Sequence, residues 1–287
     1  MMRHPAWPAA LPDTVSFADL DDIWQRLVPV DATDPAALAK LGIVITGRTD
    51  CTLLVHDAEK SLGKIHIQNA GANSLLVFDN RGAPGGCHLS ARLNAPDGAL
   101  IFVGLTGAIV NLPMVFLRRA GQVLFWGAGA TAVQAQIELE GAGASLLVGD
   151  DCMLSNDIWI RNYDMHTAFD LTSETILNNI TQAMVLEQHV WVGQGVILLG
   201  ASVGYGSIVG AKSLAKGHLA RTSSFGGIPA RLLRANTSWC RSVTGITPAT
   251  RERLARLAAC AAAEAAGSNA EAAHIHEASP EGDTAND

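Results

Sequence analysis

The chain has 287 residues, of which 48% are hydrophobic and only 16% are charged, and its formal net charge is −7. This length and hydrophobicity are enough for a sizeable buried core and exclude disorder over most of the chain. The acidic balance argues against nucleic acid or an anionic membrane as a partner, and no apolar run reaches the roughly 18 residues of a membrane span.

Residues 1–40 contain two short helical patches, around Phe17–Leu27 and Pro35–Leu41. Because the segments that follow indicate a solenoid, whose ends need cover, we expect residues 1–40 to form an irregular N-terminal cap. The N-terminus lacks the unbroken apolar stretch of a signal peptide. The five cysteines are odd in number and widely spaced, which is typical of reduced thiols, so we expect a cytoplasmic protein.

Residues 41–142 contain aliphatic triplets beside glycines, about 22–26 residues apart; examples are Leu75-Leu76-Val77 and Leu124-Phe125-Trp126-Gly127. That spacing is near one turn of a β-helix with a loop added, so we predict an irregular β-helix here. A separate β-sandwich is the alternative.

Residues 143–234 carry the clearest repeat. Between His189 and Arg234, aliphatic residues followed by glycine recur at steps of about six, as in Val192-Gly193, Val203-Gly204 and Val209-Gly210. A six-residue period fits neither a helix nor simple strand alternation, but it is the signature of a parallel β-helix. Each hexad supplies one short strand with an inward aliphatic side chain and a small residue at the corner.

Three segments depart from the repeat. Residues 167–188 interrupt the hexads and are predicted to protrude as a loop. Residues 235–266 are rich in Ala, Arg, Glu and Leu towards their end, which favours a C-terminal helix. Residues 267–287 are polar and acidic without apolar periodicity, which predicts a disordered tail.

The chain resembles the left-handed β-helix hexapeptide-repeat acyltransferases. Trp191-Val192-Gly193, Val209-Gly210-Ala211-Lys212-Ser213 and Gly227-Ile228-Pro229-Ala230-Arg231 follow the order of that family's motifs. Upstream, Cys152-Met153-Leu154-Ser155 and the stretch from Ile160 to His166 are similar to the CMFS…IRTSDxH segment of its polysaccharide O-acetyltransferase branch. The resemblance implies an all-β solenoid, a left-handed parallel β-helix with an irregular N-terminal part, a protruding loop and a C-terminal helix.

The resemblance also implies a catalytic base. Acyl transfer from a thioester to a hydroxyl needs a group that accepts the hydroxyl proton, and imidazole is suited to this near neutral pH. In the family the histidine at the position of His166 is that base. Asp164 shares its face and either orients the imidazole, holds an acceptor hydroxyl, or bonds its own backbone in a turn. Arg161, Asn162 and His189 are candidates for acceptor binding, with packing roles as their alternatives.

The implied acyl donor is acetyl-CoA. Small residues along the edge of the solenoid would let the pantetheine arm lie against backbone amides, and guanidinium groups suit the phosphates. The residues predicted to bind the donor are Gln194, Ala211, Lys216, Arg231 and Arg234.

The predicted function is therefore acetyl transfer from acetyl-CoA to a sugar hydroxyl of a glycan or glycolipid precursor, in a cytoplasmic homotrimer without metal. Alternatives are N-acetylation of an amino sugar or small xenobiotic, and a β-helical protein that acts only in assembly. A zinc site built by His166, His189 and His218, as in the β-helical carbonic anhydrases, is a further alternative, although no cysteine or histidine set has zinc-site spacing.

Overall fold

The computed structural model describes residues 3–82 and 85–277, with the backbone alone for 267–277. The chain divides into two compact units, Met1–Trp239 and Cys240–Asp287. The first unit holds the helices α1 (Leu20–Arg26) and α2 (Pro35–Leu41) and strands β1 to β19, and the second holds α3 (Pro248–Glu277).

Both short helices begin at an aspartate. The Asp19 carboxylate accepts hydrogen bonds from the second and third backbone N–H groups after it, and Asp34 does the same for α2. Leu38 and Leu41 of α2 pack into the main core, at its N-terminal end. α1 was predicted to be part of the cap over the end of the solenoid. Its apolar residues instead cover the outer side of several coils.

The strands of the first unit form one continuous solenoid. Their bounds are β1 (Val28–Val30), β2 (Ile43–Val55), β3 (Gly63–Phe78), β4 (Cys87–Leu93), β5 (Ala99–Phe102), β6 (Val110–Leu117), β7 (Val123–Trp126), β8 (Thr131–Ala132), β9 (Ala135–Leu139), β10 (Ser145–Val148), β11 (Met153–Leu154), β12 (Ile158–Arg161), β13 (Ala183–Leu186), β14 (Trp191–Val192), β15 (Ile197–Val203), β16 (Ile208–Val209), β17 (Leu214–Leu219), β18 (Ser224–Gly227) and β19 (Ala230–Arg234). Strands of successive coils pair in parallel; β1 with β2 and β18 with β19 pair antiparallel.

Identical positions of successive coils stack one above another. Leu76, Leu100, Leu124 and Leu146 form one fully buried inward stack. Beside it, the ring centroids of Phe78 and Phe102 lie 5.4 Å apart, and those of Phe102 and Trp126 lie 6.1 Å apart. These stacks run from the irregular part of the chain into the regular one, so the predicted continuous β-helix over 41–142 is confirmed and the β-sandwich is wrong.

The loop is shorter than predicted at its C-terminal end. It leaves the solenoid after β12 and returns at β13, whose Met184 and Leu186 point into the core and pair with β10. This strand has only one pair of inward residues, and no hexad repeat flanks it. For that reason the sequence pattern did not reveal the strand. Residues 183–186 therefore belong to the solenoid and not to the loop.

The C-terminal helix begins at Pro248, so residues 235–247 precede it. It continues past Ala266 to Glu277, into the stretch predicted to be a disordered tail; residues 278–287 lie outside the described part. Among the described residues, no helix combines the length and apolarity needed to cross a membrane. All five cysteines are free thiols, and Cys87 and Cys152 are buried.

Candidate active site

The candidate site lies at the corner of the solenoid where the loop leaves β12. Asn162, only 1% exposed, makes this corner. Its side-chain oxygen accepts a bond from Glu140 N at 2.9 Å, and its amide nitrogen donates to Glu140 O and Thr181 O at 2.8 and 2.9 Å. Both donor hydrogens of the amide and one acceptor site of its oxygen are paired with backbone groups. Asn162 therefore shapes the corner and does not offer a free amide to a ligand.

His166 stands at the start of the loop and is exposed. Its backbone N–H donates to Asp164 O at 2.7 Å, and its backbone oxygen accepts from the side chain of Asn178 at 2.8 Å. Asn178 also accepts from Ala168 N at 2.8 Å. The ring nitrogens of His166 make no hydrogen bond to any described residue, so its backbone is fixed while its imidazole is available to a ligand.

His166 opens onto a cleft of about 340 Å³. This volume is within the range of small-molecule sites. The lining residues are Arg119, Glu140, Tyr163, Asp164, Met165, His166, Thr167, Asn178, Asn179 and Ile180. Arg119 and Glu140 form an ion pair on the wall.

Tyr163 contributes a hydroxyl group to the cleft. Burial is the main cause that raises the pKa of Tyr163, and nearby carboxylates act in the same direction while Arg118 and Arg161 oppose it. The ordinary pKa of tyrosine is already near 10. Tyr163 is therefore protonated near neutral pH and can donate a hydrogen bond.

A second cavity, of about 250 Å³, continues the site across the next two coils, at Leu199–Gly200 and Lys216–Gly217. Lys216 Nζ lies 3.7 Å from the Asp164 carboxylate. Lys216 was expected at the phosphate end of the donor; the structure places it on the wall of this second cavity, next to Gly217 (φ +69°). The Asp164 carboxylate thus faces an ammonium group and is not hydrogen-bonded to the ring of His166.

Arg161 is held beside the cleft. Its guanidinium carbon lies 4.1 Å from the centre of the Trp159 ring, and its Nε lies 2.9 Å from Glu138 Oε2. One of its terminal nitrogens lies 3.6 Å from Met165 Sδ, on the cleft wall.

His189 lies outside the cleft, contrary to the expected acceptor contact. It is 1% exposed and stacks on Trp239 with ring centroids 4.2 Å apart. Its Nε2 donates to Trp239 O at 2.9 Å, and its Nδ1 lies 2.8 Å from an Asp151 oxygen. Both ring nitrogens are occupied by protein atoms, so His189 fastens the chain at Trp239 to the solenoid.

Four of the predicted donor residues lie at another corner and on the hairpin beside it. Gln194 and Ala211 occupy equivalent places on successive coils, where Lys212 N donates to Gln194 O at 2.8 Å. Arg231 pairs with Gly226 on the next strand, and Arg234 lies further along the same hairpin, opposite Ser224. One strand face separates this corner from the second cavity: β15 begins at Ile197, three residues after Gln194, and its Gly200 lines that cavity. At about 3.3 Å per residue, the three steps from Ile197 to Gly200 span about 10 Å.

Other sites are poorer in chemistry. In the ranges that the structure describes, no group of three His, Cys, Asp or Glu side chains could hold a metal ion. A larger cavity of about 750 Å³ lies between α2 and the first strands, and most of its lining is apolar.

Arg119, Glu140, Tyr163 and Asn178 are among the cleft residues that sequence reasoning missed. A signal existed for two of them, because Arg119 and Glu140 are 21 residues apart and Glu140 and Asn162 are 22 apart. This is the coil spacing of the aliphatic triplets, applied to polar corner residues. Nothing in the sequence singles out Asn178, whose side chain forms hydrogen bonds across the loop to His166 O and Ala168 N.

Two proteins described as O-acetyltransferases are similar in sequence to part of this chain. The putative lipopolysaccharide biosynthesis O-acetyl transferase WbbJ of Escherichia coli K12 is 27% identical over 99 residues, covering 31% of this chain and 50% of that protein. A polysialic acid O-acetyltransferase of Escherichia coli O1:K1 is 31% identical over 113 residues, covering 39% of this chain and 36% of that protein. The chain thus spans half or less of these relatives, and no family model matches it.

Among solved structures, the polySia-specific acetyltransferase NeuO matches with a TM-score of 0.60 at 20% identity, covering 75% of this chain and 94% of that one. At that identity the likeness shows the fold alone. The resemblance to the hexapeptide-repeat acyltransferases and the left-handed parallel β-helix are both confirmed.

Proposed function

We propose, from this resemblance to hexapeptide-repeat acyltransferases, that the chain transfers an acetyl group from acetyl-CoA to a hydroxyl of a polysaccharide or its precursor. The relatives named above are O-acetyltransferases of such molecules. The observation that carries the proposal is His166: a backbone-anchored histidine, with both ring nitrogens unbonded among the described residues, on the wall of a 340 Å³ cleft.

In the proposed reaction His166 accepts the proton of the acceptor hydroxyl as its oxygen attacks the thioester carbonyl carbon. The tetrahedral intermediate then collapses, the carbon–sulfur bond breaks, and the imidazolium returns the proton to the leaving sulfur. The products are an acetyl ester and free coenzyme A. This direct route forms no acyl-enzyme, and among the described residues no serine or cysteine lines the cleft.

The acceptor is oriented by the polar groups around His166. Tyr163, protonated near neutral pH, donates a hydrogen bond, and the Asp164–Lys216 pair offers both an acceptor and a donor to sugar hydroxyls. Asp164 acts on the acceptor and not on the imidazole, because its carboxylate is directed to Lys216.

The donor residues Gln194, Ala211, Arg231 and Arg234 are proposed to bind the pantetheine arm and phosphates at the neighbouring corner. A strand face separates that corner from His166 within one chain, and we propose that the donor corner of one subunit lies beside His166 of another. Exposed apolar side chains on the loop and hairpin, among them Leu171, Leu177 and Leu233, also favour association. We therefore propose a homotrimer of cyclic symmetry with active sites shared between subunits.

The function is tested by incubating the protein with acetyl-CoA and a panel of acceptors: sialic acid oligomers, lipopolysaccharide-derived oligosaccharides, free amino sugars and chloramphenicol. We expect acceptor-dependent release of free thiol and an alkali-labile acetyl ester on an oligosaccharide. An alkali-stable amide on an amino sugar or transfer to chloramphenicol would favour the N-acetyltransferase alternative. No thiol release with any acceptor would favour a role in assembly alone.

A further inference from the structure

A row of arginines runs along the solenoid towards the cleft. Gln68, Arg92, Phe116, Glu138 and Arg161 occupy one outward position on successive coils, paired in register from β3 to β12. Arg118 directly follows β6 and joins them. We call Arg92, Arg118 and Arg161 the arginine row.

The three guanidinium groups are held in place by protein contacts. Arg92 and Arg118 lie over the Phe116 ring, at 5.2 and 5.1 Å from its centre, and Arg161 lies over Trp159. Arg92 Nε donates to Gln68 at 2.8 Å, and Arg118 donates to Glu138 at 3.1 Å. Surface arginines that serve only solubility do not need such fixation, whereas fixed guanidinium groups lose less entropy when they bind a ligand.

The row has hydrogen-bonding capacity that the protein does not use. Arg92 and Arg118 each leave one terminal nitrogen without a partner among the described residues. Arg161 Nε is 2.9 Å from Glu138 Oε2, but the pair lacks the angle of a hydrogen bond, and both atoms are buried without a hydrogen-bond partner. Buried polar atoms are rarely left without a hydrogen bond, and each exception calls for an explanation, such as strain, a catalytic role, or a water or ion at the site.

The charge of the row indicates the class of ligand. The row carries three arginines and one carboxylate, that of Glu138, which pairs with Arg118 and Arg161. The row is therefore cationic on a chain whose net charge is −7. Guanidinium groups bind carboxylates and phosphates with paired hydrogen bonds. From Arg92 to Arg161 the row crosses three coil spacings, about 14 Å at about 4.8 Å each, which is longer than one sugar ring.

The row adjoins the cleft at its C-terminal end. Arg161 contacts Met165, which lines the cleft, and Arg118 precedes Arg119, which also lines it. A chain lying on the row would therefore enter the cleft at His166.

We propose that the arginine row is a second binding site, which holds the negatively charged groups of a glycan chain on one side of the unit that is acetylated. This proposal rests on the proposed function for its glycan, and it adds that the acceptor is an acidic chain several units long. The negative groups are carboxylates or phosphates, which share the same guanidinium chemistry.

The test measures binding of three fluorescently labelled chains by fluorescence polarisation: sialic acid oligomers for carboxylate, poly(glycerol phosphate) for phosphate, and neutral dextran oligomers. Arg92→Gln is the main variant because Arg92 pairs only with the neutral Gln68, so no buried carboxylate is left alone. Arg26→Gln removes the same charge from α1 and is the matched control.

We expect the wild type to bind one acidic series more tightly as its length grows from one to about four units, and dextran at least tenfold more weakly. Arg92→Gln should weaken binding of the longer acidic chains about tenfold and leave the single unit unchanged, whereas Arg26→Gln should bind like the wild type. Raised salt should weaken the acidic chains alone.

Equal binding of dextran, no binding of either acidic series, or equal binding by Arg92→Gln and the wild type would overturn the proposal. So would a changed mass of Arg92→Gln in light scattering, since the row would then be a subunit interface. The outcome is separate from that of the proposed function: length-dependent binding without thiol release from acetyl-CoA would keep the row and remove the acetyl transfer.

Discussion

At the scale of single residues, neighbouring polar side chains in one motif have different tasks. Asn162 is enclosed by backbone groups of two other segments, whereas His166, four residues on, offers its imidazole to the cleft. The difference arises from direction: Asn162 points inwards at the corner, and the chain after it leaves the solenoid. One motif can therefore contain both a residue that fixes the backbone, Asn162, and the residue that this backbone positions, His166.

Replacing Asn162 by alanine should lower stability. The change removes three part-buried hydrogen bonds, and backbone groups of Glu140 and Thr181 lose these partners, a loss of about 2–4 kcal/mol. Thermal unfolding should show a clear fall in Tm. The control is Asn111→Ala, which removes one bond, at 3.0 Å, to Val133 O; an equal fall in both variants would contradict the locking role.

The cysteines should differ in reactivity with pH. Hydrogen bonds, first from the side chain of Thr250 and then from Thr247 and Ser242, lower the pKa of Cys240 to about 7. Burial raises the pKa of Cys51 to about 11 and of Cys87 to about 12. A lowered pKa means more thiolate at neutral pH, and the thiolate is the form that reacts.

Iodoacetamide at pH 7.5 should therefore alkylate Cys240 well before Cys51 or Cys87, with a midpoint near pH 7 in a series read by mass spectrometry of peptides. Thr250→Val should shift this midpoint upwards. Uniform labelling of the three thiols, or a midpoint unmoved in the variant, would contradict the assigned cause.

At the scale of elements, the loop between β12 and β13 holds His166, the proposed base, while the coils hold the buried core. The loop contributes no residue to the buried core, and Asn178 ties its two arms together through His166 O and Ala168 N. Small errors in placing a catalytic group cost large factors in rate.

Asn178→Ala should thus lower kcat by about 10- to 100-fold, because a displacement near 1 Å can cost about 10²-fold, while Tm stays within a few degrees of the wild type. Steady-state acetyl transfer and thermal unfolding check the two parts. Ser173→Ala, at the loop tip, is the control and should retain its kcat. A large fall in Tm with Asn178→Ala would instead make Asn178 a folding residue.

The elements also explain what the sequence could and could not predict. The hexads around Val192 and Val209 predict the coils because each inward aliphatic stacks on the next, and His166 is predicted through its motif. The place of Lys216 beside Asp164 results from a contact between coils, which the hexad spacing does not encode. The coil spacing gives a signal for the pairing of Arg119 with Glu140. The contacts of Asn178 span the loop, and local periodicity does not encode them.

At the scale of the whole molecule, the two halves of the proposed site lie at different corners. A strand face separates His166 from the proposed donor residue Arg231 within one chain, so we expect two chains of the proposed trimer to complete each site. Light scattering should give three times the chain mass of 30.1 kDa. A stable, active monomer would contradict both the trimer and the shared site.

Whether two subunits share one active site can be tested by complementation between variants. His166→Ala and Arg231→Ala should each be weakly active alone, but co-expression should restore part of the activity, because some interfaces of the mixed trimers combine an intact His166 with an intact Arg231. Mixing two His166-defective variants, His166→Ala with His166→Gln, is the control and should restore none. Failure of the first mixture to exceed its parents would mean that each chain completes its own site.

The most direct measurement of the central claim is acetyl transfer by His166→Ala, read as thiol release from acetyl-CoA with the best acceptor. Loss of a general base costs about 10²–10⁴-fold in rate, so turnover should fall by that factor while the KM for acetyl-CoA stays the same. His218→Ala, an exposed histidine of β17 that does not line the cleft, should retain full turnover. Near-normal turnover by His166→Ala would contradict the assignment of the base, and an isolable acetylated enzyme would contradict direct transfer.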